Sequence, residues 1–234
     1  MKRTSSATIH VTAIALAFAL MLTSHQDLLA ADDDSPEFTH DGLQRVIDSK
    51  AAIAYVKPGA DFSAYDRFMI MDCFVAFKKD WQKDFNRDRR SLSGQVTDRD
   101  MERMRNDMAE LFRVVFVEEL AENDGYALVD SPAEGVLLIR PAIIDLEANA
   151  PDVQSAGRTA TFVDSAGAAT LFIELYDSVT GEILARAIDR KADRSHGRME
   201  WSNATTGRAS ARRILRTWAG WLRERMDEVH ERGQ

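Results

Sequence analysis

Cysteine is almost absent from this chain of 234 residues, which contains only one, Cys73. An intramolecular disulfide is therefore excluded, and a chain of this length can bury a sizeable core without one. Cys73 lies in the apolar run 68–75, which favours a buried small side chain over a reactive thiol. It also lies far from the position directly after an export signal, where a lipid-carrying cysteine would be needed.

Long hydrophobic runs are also scarce. The apolar stretch 13–22 is about ten residues long, which is short of the roughly 20 that span a bilayer but typical of a signal peptide. Lys2 and Arg3 precede it, and small residues follow up to position 31. This layout predicts a cleaved secretory signal peptide over residues 1–31, with an uncleaved N-terminal anchor as the alternative. We therefore expect a periplasmic or secreted protein.

The sequence lacks the common catalytic and metal-binding motifs. It has no Gly-x-Ser-x-Gly elbow, no HExxH, no CxxC, no phosphate loop and no dinucleotide fingerprint. Asp193, Ser195 and His196 are neighbours in sequence, and adjacent side chains diverge rather than form a triad. The five histidines are scattered along the chain. We therefore predict no catalytic residue, metal site or cofactor, and keep a hydrolase assembled only in the fold as an alternative.

Positive charge is in the minority, because the formal net charge is −8. An acidic protein repels nucleic acid unless it carries a local basic patch, and it is also repelled by anionic membrane surfaces. We predict no nucleic-acid partner. After removal of the signal, no later run is long and apolar enough to cross a membrane.

The remaining chain fits one domain with a segment in front of it. Residues 32–60 begin with three consecutive aspartates and predict an acidic, flexible lead-in. Residues 61–232 are predicted to form a single α+β domain, an antiparallel sheet of about five strands with two long amphipathic helices packed on one face. The predicted strands are 67–77, 126–129, 136–147, 170–176 and 183–189, and the predicted helices begin at Thr97 or Asp98 and near Thr205.

Local patterns support these elements. In 170–176 the apolar Leu171, Ile173 and Leu175 alternate with residues that face the other side, namely Thr170, Phe172, Glu174 and Tyr176. The segment 177–182 is a turn signal, so 170–189 predicts a hairpin. Pro141 within 136–147 predicts an edge strand or a bulge. Asn123 and Gly125 are expected to end the first helix, since glycine tolerates a left-handed cap.

Several stretches resemble a known family. The segments 61–66, 125–129, 136–143 and 174–185 are similar to those of the bacterial exported proteins of domain of unknown function 3313. The resemblance covers roughly residues 45–230 and rests on turns and strands. It implies no activity. Many members resemble lipoproteins, and the lack of a suitably placed cysteine here implies a free protein rather than a tethered one.

Two regions combine basic and aromatic residues and are the candidate binding sites. Trp81 and Phe85 lie one helical turn apart in the basic segment 78–90. This segment could contact a partner, or it could be a solvated loop that the two aromatics pin to the core.

The start of the last helix carries the second candidate site. Arg208, Arg212 and Arg216 oppose the helix dipole there, which suggests an anionic partner or pairing with acidic residues elsewhere in the chain. Trp201, in the loop before this helix, is a candidate for an exposed contact.

These observations favour a non-catalytic envelope protein that binds another envelope protein or an anionic envelope component. A periplasmic hydrolase and a carrier of an apolar ligand are the alternatives. A carrier would need a cavity between the helices and the sheet.

Overall fold

A computed structural model describes residues 35–87, 95–148, 161–163, 167–192, 200–202 and 204–232. Ten strands and three α-helices fall in these ranges. The helices are α1 (Trp81–Arg87), α2 (Asp98–Ala121) and α3 (Ala204–Arg232). The strands are β1 (Gln44–Arg45), β2 (Ile53–Val56), β3 (Arg67–Ile70), β4 (Phe74–Phe77), β5 (Ala127–Leu128), β6 (Val136–Glu147), β7 (Thr161–Val163), β8 (Ala168–Asp177), β9 (Ile183–Ala192) and β10 (Glu200–Ser202).

Eight of these strands form one mixed sheet. Seven of them follow the order β1-β2-β9-β8-β6-β3-β5, and β4 pairs with β6 beyond the end of β3. Neighbouring strands are antiparallel along the part β1-β2-β9-β8-β6 of this order. The pairs β6-β3, β6-β4 and β3-β5 are parallel. β7 and β10 form a separate antiparallel pair. The α+β class is confirmed, and the hairpin of β8 and β9 forms as predicted.

The predicted antiparallel sheet of about five strands is wrong in its detail. β3 and β6 are parallel because the chain between them passes through α1 and α2 before it returns, and parallel strands require such a long crossover. The lead-in also needs correction, since β1 and β2 lie within residues 32–60 and extend the antiparallel part. The main-chain ladder from β2 to β9 holds this segment in the fold.

β6 is a central strand, not the edge strand that Pro141 suggested. Its N-terminal half pairs with β3 up to Ile139, and its C-terminal half pairs with β4 from Ala142 onwards. Pro141 therefore lies where one neighbour ends and the next begins, which is where a missing N–H is best tolerated. The register irregularity of β6 occurs later, between Ile144 and Glu147.

The two long helices pack on one face of the sheet. α2 contributes Leu111, Phe112 and Phe116 to the core, and α3 contributes Leu215 and Trp218. The strands contribute every second residue on that side, including Phe68, Ile139, Ile143, Leu171, Ile173 and Leu175. We call the opposite side, turned away from α2 and α3, the outer face. It carries Leu138, Arg140 and Ala142 of β6, Phe172, Glu174 and Tyr176 of β8, and Arg186 and Ile188 of β9.

Local signals fix both ends of α2. At its start, Thr97 accepts the backbone N–H of Asp100, and the Asp100 carboxylate accepts the N–H of Thr97, which forms a capping box. After its end, Asn123 rather than Gly125 takes the left-handed conformation, with φ of 53°. Gly125 is required for another reason, because a Cβ there would lie 2.4 Å from the carbonyl oxygen of Leu120.

Arg223 of α3 caps the carboxyl end of α2. Its Nη1 donates to the carbonyl oxygens of Glu119 at 2.9 Å and Glu122 at 2.7 Å. Arg223→Met should lower the free energy of unfolding by about 1–3 kcal/mol, because the last carbonyls of α2 lose a charged donor. Chemical denaturation measures this change. The matched control is Arg225→Met, which removes only an exposed pair with Glu228 and should change stability by less than about 0.5 kcal/mol. Equal effects in the two variants would contradict the capping role.

Candidate functional site

The aromatic pair expected to contact a partner lies in a small core. Trp81 stacks on Phe77 with ring centroids 4.7 Å apart and on Phe85 at 5.2 Å, and only 8% of Trp81 is exposed. Val96 and Met101 complete this cluster. The structure therefore corresponds to the alternative in which the aromatics pin α1 to the body of the domain. A partner could not reach the Trp81 ring without unpacking the cluster.

The basic start of α3 faces carboxylates of α2. Arg212 Nη1 lies 3.2 Å from Glu118, and Arg216 Nε lies 3.8 Å from Glu119. Pairing with acidic residues of the same chain, the alternative weighed from the sequence, accounts for these two positions. Arg208 is exposed. The Trp201 side chain and residues 193–199, which include His196, lie outside the described residues.

The outer face instead presents a cluster that sequence reasoning did not single out. Its centre is Glu174, which is buried although it lies on the face of β8 that is turned away from the helices. Tyr176 Oη donates to its Oε2 at 2.8 Å, and Arg186 Nε donates to its Oε1 at 2.9 Å. Arg140 Nη2 lies 2.5 Å from Oε2. Both carboxylate oxygens are thus held by charged or hydroxyl donors, as a buried charge requires.

Arg186 links this cluster to the N-terminal part of the fold. Its Nη2 lies 2.5 Å from Asp41, in the turn before β1, and 2.8 Å from Glu174. The hydrogen bond from Arg186 is the main reason that the pKa of Asp41 is lowered to about 2. Burial alone would raise the pKa of Glu174, but its bonds to Tyr176 and Arg186 bring it below the ordinary value. Both carboxylates are therefore ionised over the physiological range.

Acid should loosen the contact at Asp41. Because its pKa is lower in the folded protein than the ordinary 3.8, its contribution to stability is complete above about pH 4 and is lost as the pH falls towards 2. We expect Asp41→Asn to cost about 1 kcal/mol at pH 6 and progressively less between pH 4 and pH 2. Urea denaturation at stepped pH measures the difference. A difference that stays constant down to pH 2 would contradict the assignment of the ion pair.

Beside this cluster, apolar side chains are exposed around Arg140. The backbone N–H of Met71 donates to the carbonyl of Ile139, and Phe74 pairs with Ala142. Along β6, Arg140 therefore lies between the residue that Met71 contacts and the residue that Phe74 contacts. Phe74 is 64% exposed and Met71 is 47% exposed. The Arg140 guanidinium also lies 5.4 Å from the centre of the Tyr176 ring. We call Met69, Met71, Phe74, Leu138, Arg140 and Tyr176 the Arg140 patch.

Within the described residues, no group of three or more potential metal ligands comes together. In the same part of the chain, no helix has both the length and the hydrophobicity that a membrane crossing requires. The Cys73 thiol is buried, and burial raises its pKa to about 12, so it is not an activated nucleophile. The carboxylate of Glu174 is saturated by its own donors, and the cluster supports the exposed Arg140 from beneath.

Comparison with known proteins identifies the family. The sequence profile of a family described as "protein of unknown function (DUF3313)" matches residues 34–222. The chain belongs to this family. The match confirms the resemblance and spans the whole of α2, the whole of the sheet and most of α3. No curated protein matches this chain.

Solved structures give more distant similarities. A PelC dodecamer from Paraburkholderia phytofirmans aligns at 12% identity and a TM-score of 0.39, over 73% of this chain and 94% of that chain. Protein XCC0632 from Xanthomonas campestris, of family DUF330, aligns at 10% identity and a TM-score of 0.41, over 76% of this chain and 92% of that chain. Similarity at this level carries no inference about function or assembly.

Proposed function

We propose that this DUF3313 protein is exported to the bacterial envelope, where it binds a partner through the outer face of its sheet and catalyses no reaction. The observation that carries the proposal is the Arg140 patch. It combines Met, Phe, Tyr and Arg side chains, the types enriched where proteins meet other proteins. The saturated cluster beneath it supplies the rigidity that a binding surface needs, since side chains held in place lose little freedom on binding.

The leader supports the location. Lys2, Arg3 and the apolar stretch 13–22 have the layout of a secretory signal. The test is fractionation of the native cells followed by N-terminal sequencing of the protein. We expect a chain that begins near residue 32 in the periplasmic or secreted fraction. Recovery from the cytoplasm with Met1 intact would refute export and leave the binding surface to be tested separately.

A photo-crosslinking amino acid at position 74 tests the binding surface in the native cells. We expect Phe74 to yield discrete higher-mass adducts, because this side chain is the exposed apolar end of the patch. The matched control is Val179, which is 62% exposed in the turn between β8 and β9. It presents an apolar side chain of comparable exposure that is not part of the patch. Adducts of equal yield at both positions, or none at Phe74, would refute the assignment of the site.

The carrier alternative has no supporting observation in the described residues. The space between the helices and the sheet is filled by large side chains that are fully buried, including Phe68, Phe112 and Phe116. Phe112 and Phe116 stack with ring centroids 3.9 Å apart. An apolar ligand would have to displace them, at a cost of several kcal/mol in lost packing.

A further inference from the structure

The ion pair that joins Arg140 of the patch to Glu174 beneath it is unevenly exposed. The Arg140 side chain is 55% exposed, whereas that of Glu174, its ion-pair partner, is only 3% exposed. The counter-charge of Arg140 is therefore beneath the surface, and what meets an incoming molecule is a guanidinium. Its planar fork of donors matches the geometry of a carboxylate or a phosphate. Among the described residues, exposed acidic side chains outnumber exposed basic ones, and the whole chain carries a formal charge of −8.

The edge of the sheet beside the patch suggests the shape of the partner. In the described residues β4 pairs with β6 alone, so the other side of Phe74–Phe77 has no strand partner there. A strand with one unpaired side offers main-chain donors and acceptors to an extended segment. β4 is also uncharged along its length, so it lacks the lysines and other charged residues that commonly protect edges.

Together these features define the chemistry of the occupant. We infer that the Arg140 patch and the edge of β4 bind an extended, acidic segment of a partner protein. This inference rests on the proposed function and names the partner class of the same site. A carboxylate of the segment pairs with Arg140, and an apolar side chain on the same side of the segment contacts Phe74 and Met71. Arg140 and Phe74 lie on the same face of the sheet, because Phe74 pairs with Ala142, which is two residues after Arg140 in β6.

The probe is a library of random twelve-residue peptides displayed on phage and selected on the purified full-length protein. We expect the selected peptides to be acidic and to carry Asp or Glu near an aromatic or aliphatic residue. Affinity for the selected peptides should fall about tenfold in Arg140→Gln and in Phe74→Ser. Val179→Ser should leave it unchanged. Selection on Arg140→Glu should return basic peptides, because the exposed charge is then reversed.

Folding is monitored by thermal denaturation of each variant. If Arg140→Gln does not fold, Arg140→Lys keeps the charge but loses the planar fork and should still weaken binding severalfold. Peptides with no charge preference, or binding that Arg140→Gln leaves unchanged, would overturn the inference. Self-association that Phe74→Ser abolishes would also overturn it, because the occupant is then a second copy. So would binding to phosphatidylglycerol vesicles in place of peptides.

The two proposals fail in distinguishable ways. If Phe74 crosslinks in cells but the selected peptides are not acidic, only the acidic-segment inference is lost. If Phe74 gives no adduct, the binding surface itself is lost.

Discussion

Glu174→Ala should lower the free energy of unfolding by about 3–5 kcal/mol. The substitution removes the carboxylate that compensates Arg186, whose side chain is only 15% exposed, and it leaves the Tyr176 hydroxyl without its acceptor. A buried guanidinium that has lost one of its two partners is costly, since it cannot recover its hydration. Urea denaturation at pH 7, followed by far-UV circular dichroism, measures the change.

Glu182→Ala is the matched control in the same hairpin. Glu182 lies in the turn between β8 and β9 and pairs with Lys57 at the surface. Its replacement should change stability by less than about 1 kcal/mol, because exposed ion pairs contribute little. Glu174→Gln keeps the shape and one acceptor oxygen and should fall between the two. If Glu174→Ala were no more damaging than Glu182→Ala, the cluster would not be the support that we describe.

The second large effect is expected in the helix that covers the sheet. Phe112→Ala should cost about 3–5 kcal/mol, because Phe112 is fully buried and stacks on Phe116. The loss combines the apolar area returned to water with the cavity left between α2 and the sheet. Thermal and chemical denaturation both measure it, and the midpoint should shift without a change in the far-UV spectrum of the folded state.

Val114→Ala, two residues further along α2, is the control for this variant. Val114 is partly exposed on the side of α2 away from the sheet, so little packing is lost, and alanine favours the helix slightly more than valine. Its effect should lie within about 0.5 kcal/mol of zero. A comparable loss in both variants would mean that α2 does not present its Phe112 side to the sheet.

Some elements could be predicted from the sequence because their signals are local. The capping residue Thr97 and the apolar spacing along α2 locate that helix, and the alternation in 170–176 with the turn after it locates the hairpin. The same alternation assigned Leu171, Ile173 and Leu175 to one face, and all three lie in the core under the helices.

The order of strands could not be predicted because it depends on contacts that are distant in sequence. β3 pairs in parallel with β6 across more than sixty residues, and no local pattern records such a pairing. The break between β3 and β4 was missed because, after Arg67, the segment up to residue 77 is apolar except for Asp72 and contains no glycine or proline. β1 and β2 are only two and four residues long and lack a clear alternation, so they read as part of a flexible segment.

In the candidate site, too, some features could be predicted from the sequence and others could not. Trp81 and Phe85 attracted attention as aromatics in a basic segment, yet burial of large rings is the commoner outcome and is what the structure shows for Trp81. The signal that could have located the cluster was the register of the hairpin. A turn over 177–182 sets Glu174 opposite Arg186. An acidic residue then faces a basic one across the two strands, which is a favourable cross-strand pair.

The burial of Cys73 has a practical consequence for labelling studies. Because this lone thiol is inaccessible and almost wholly protonated at neutral pH, maleimide reagents should leave the native protein unmodified. A cysteine introduced at an exposed position such as Ile47 would then react selectively without any need to remove the natural one. Spin labels or fluorophores attached in this way could report distances and motions of the folded chain in an otherwise unaltered background.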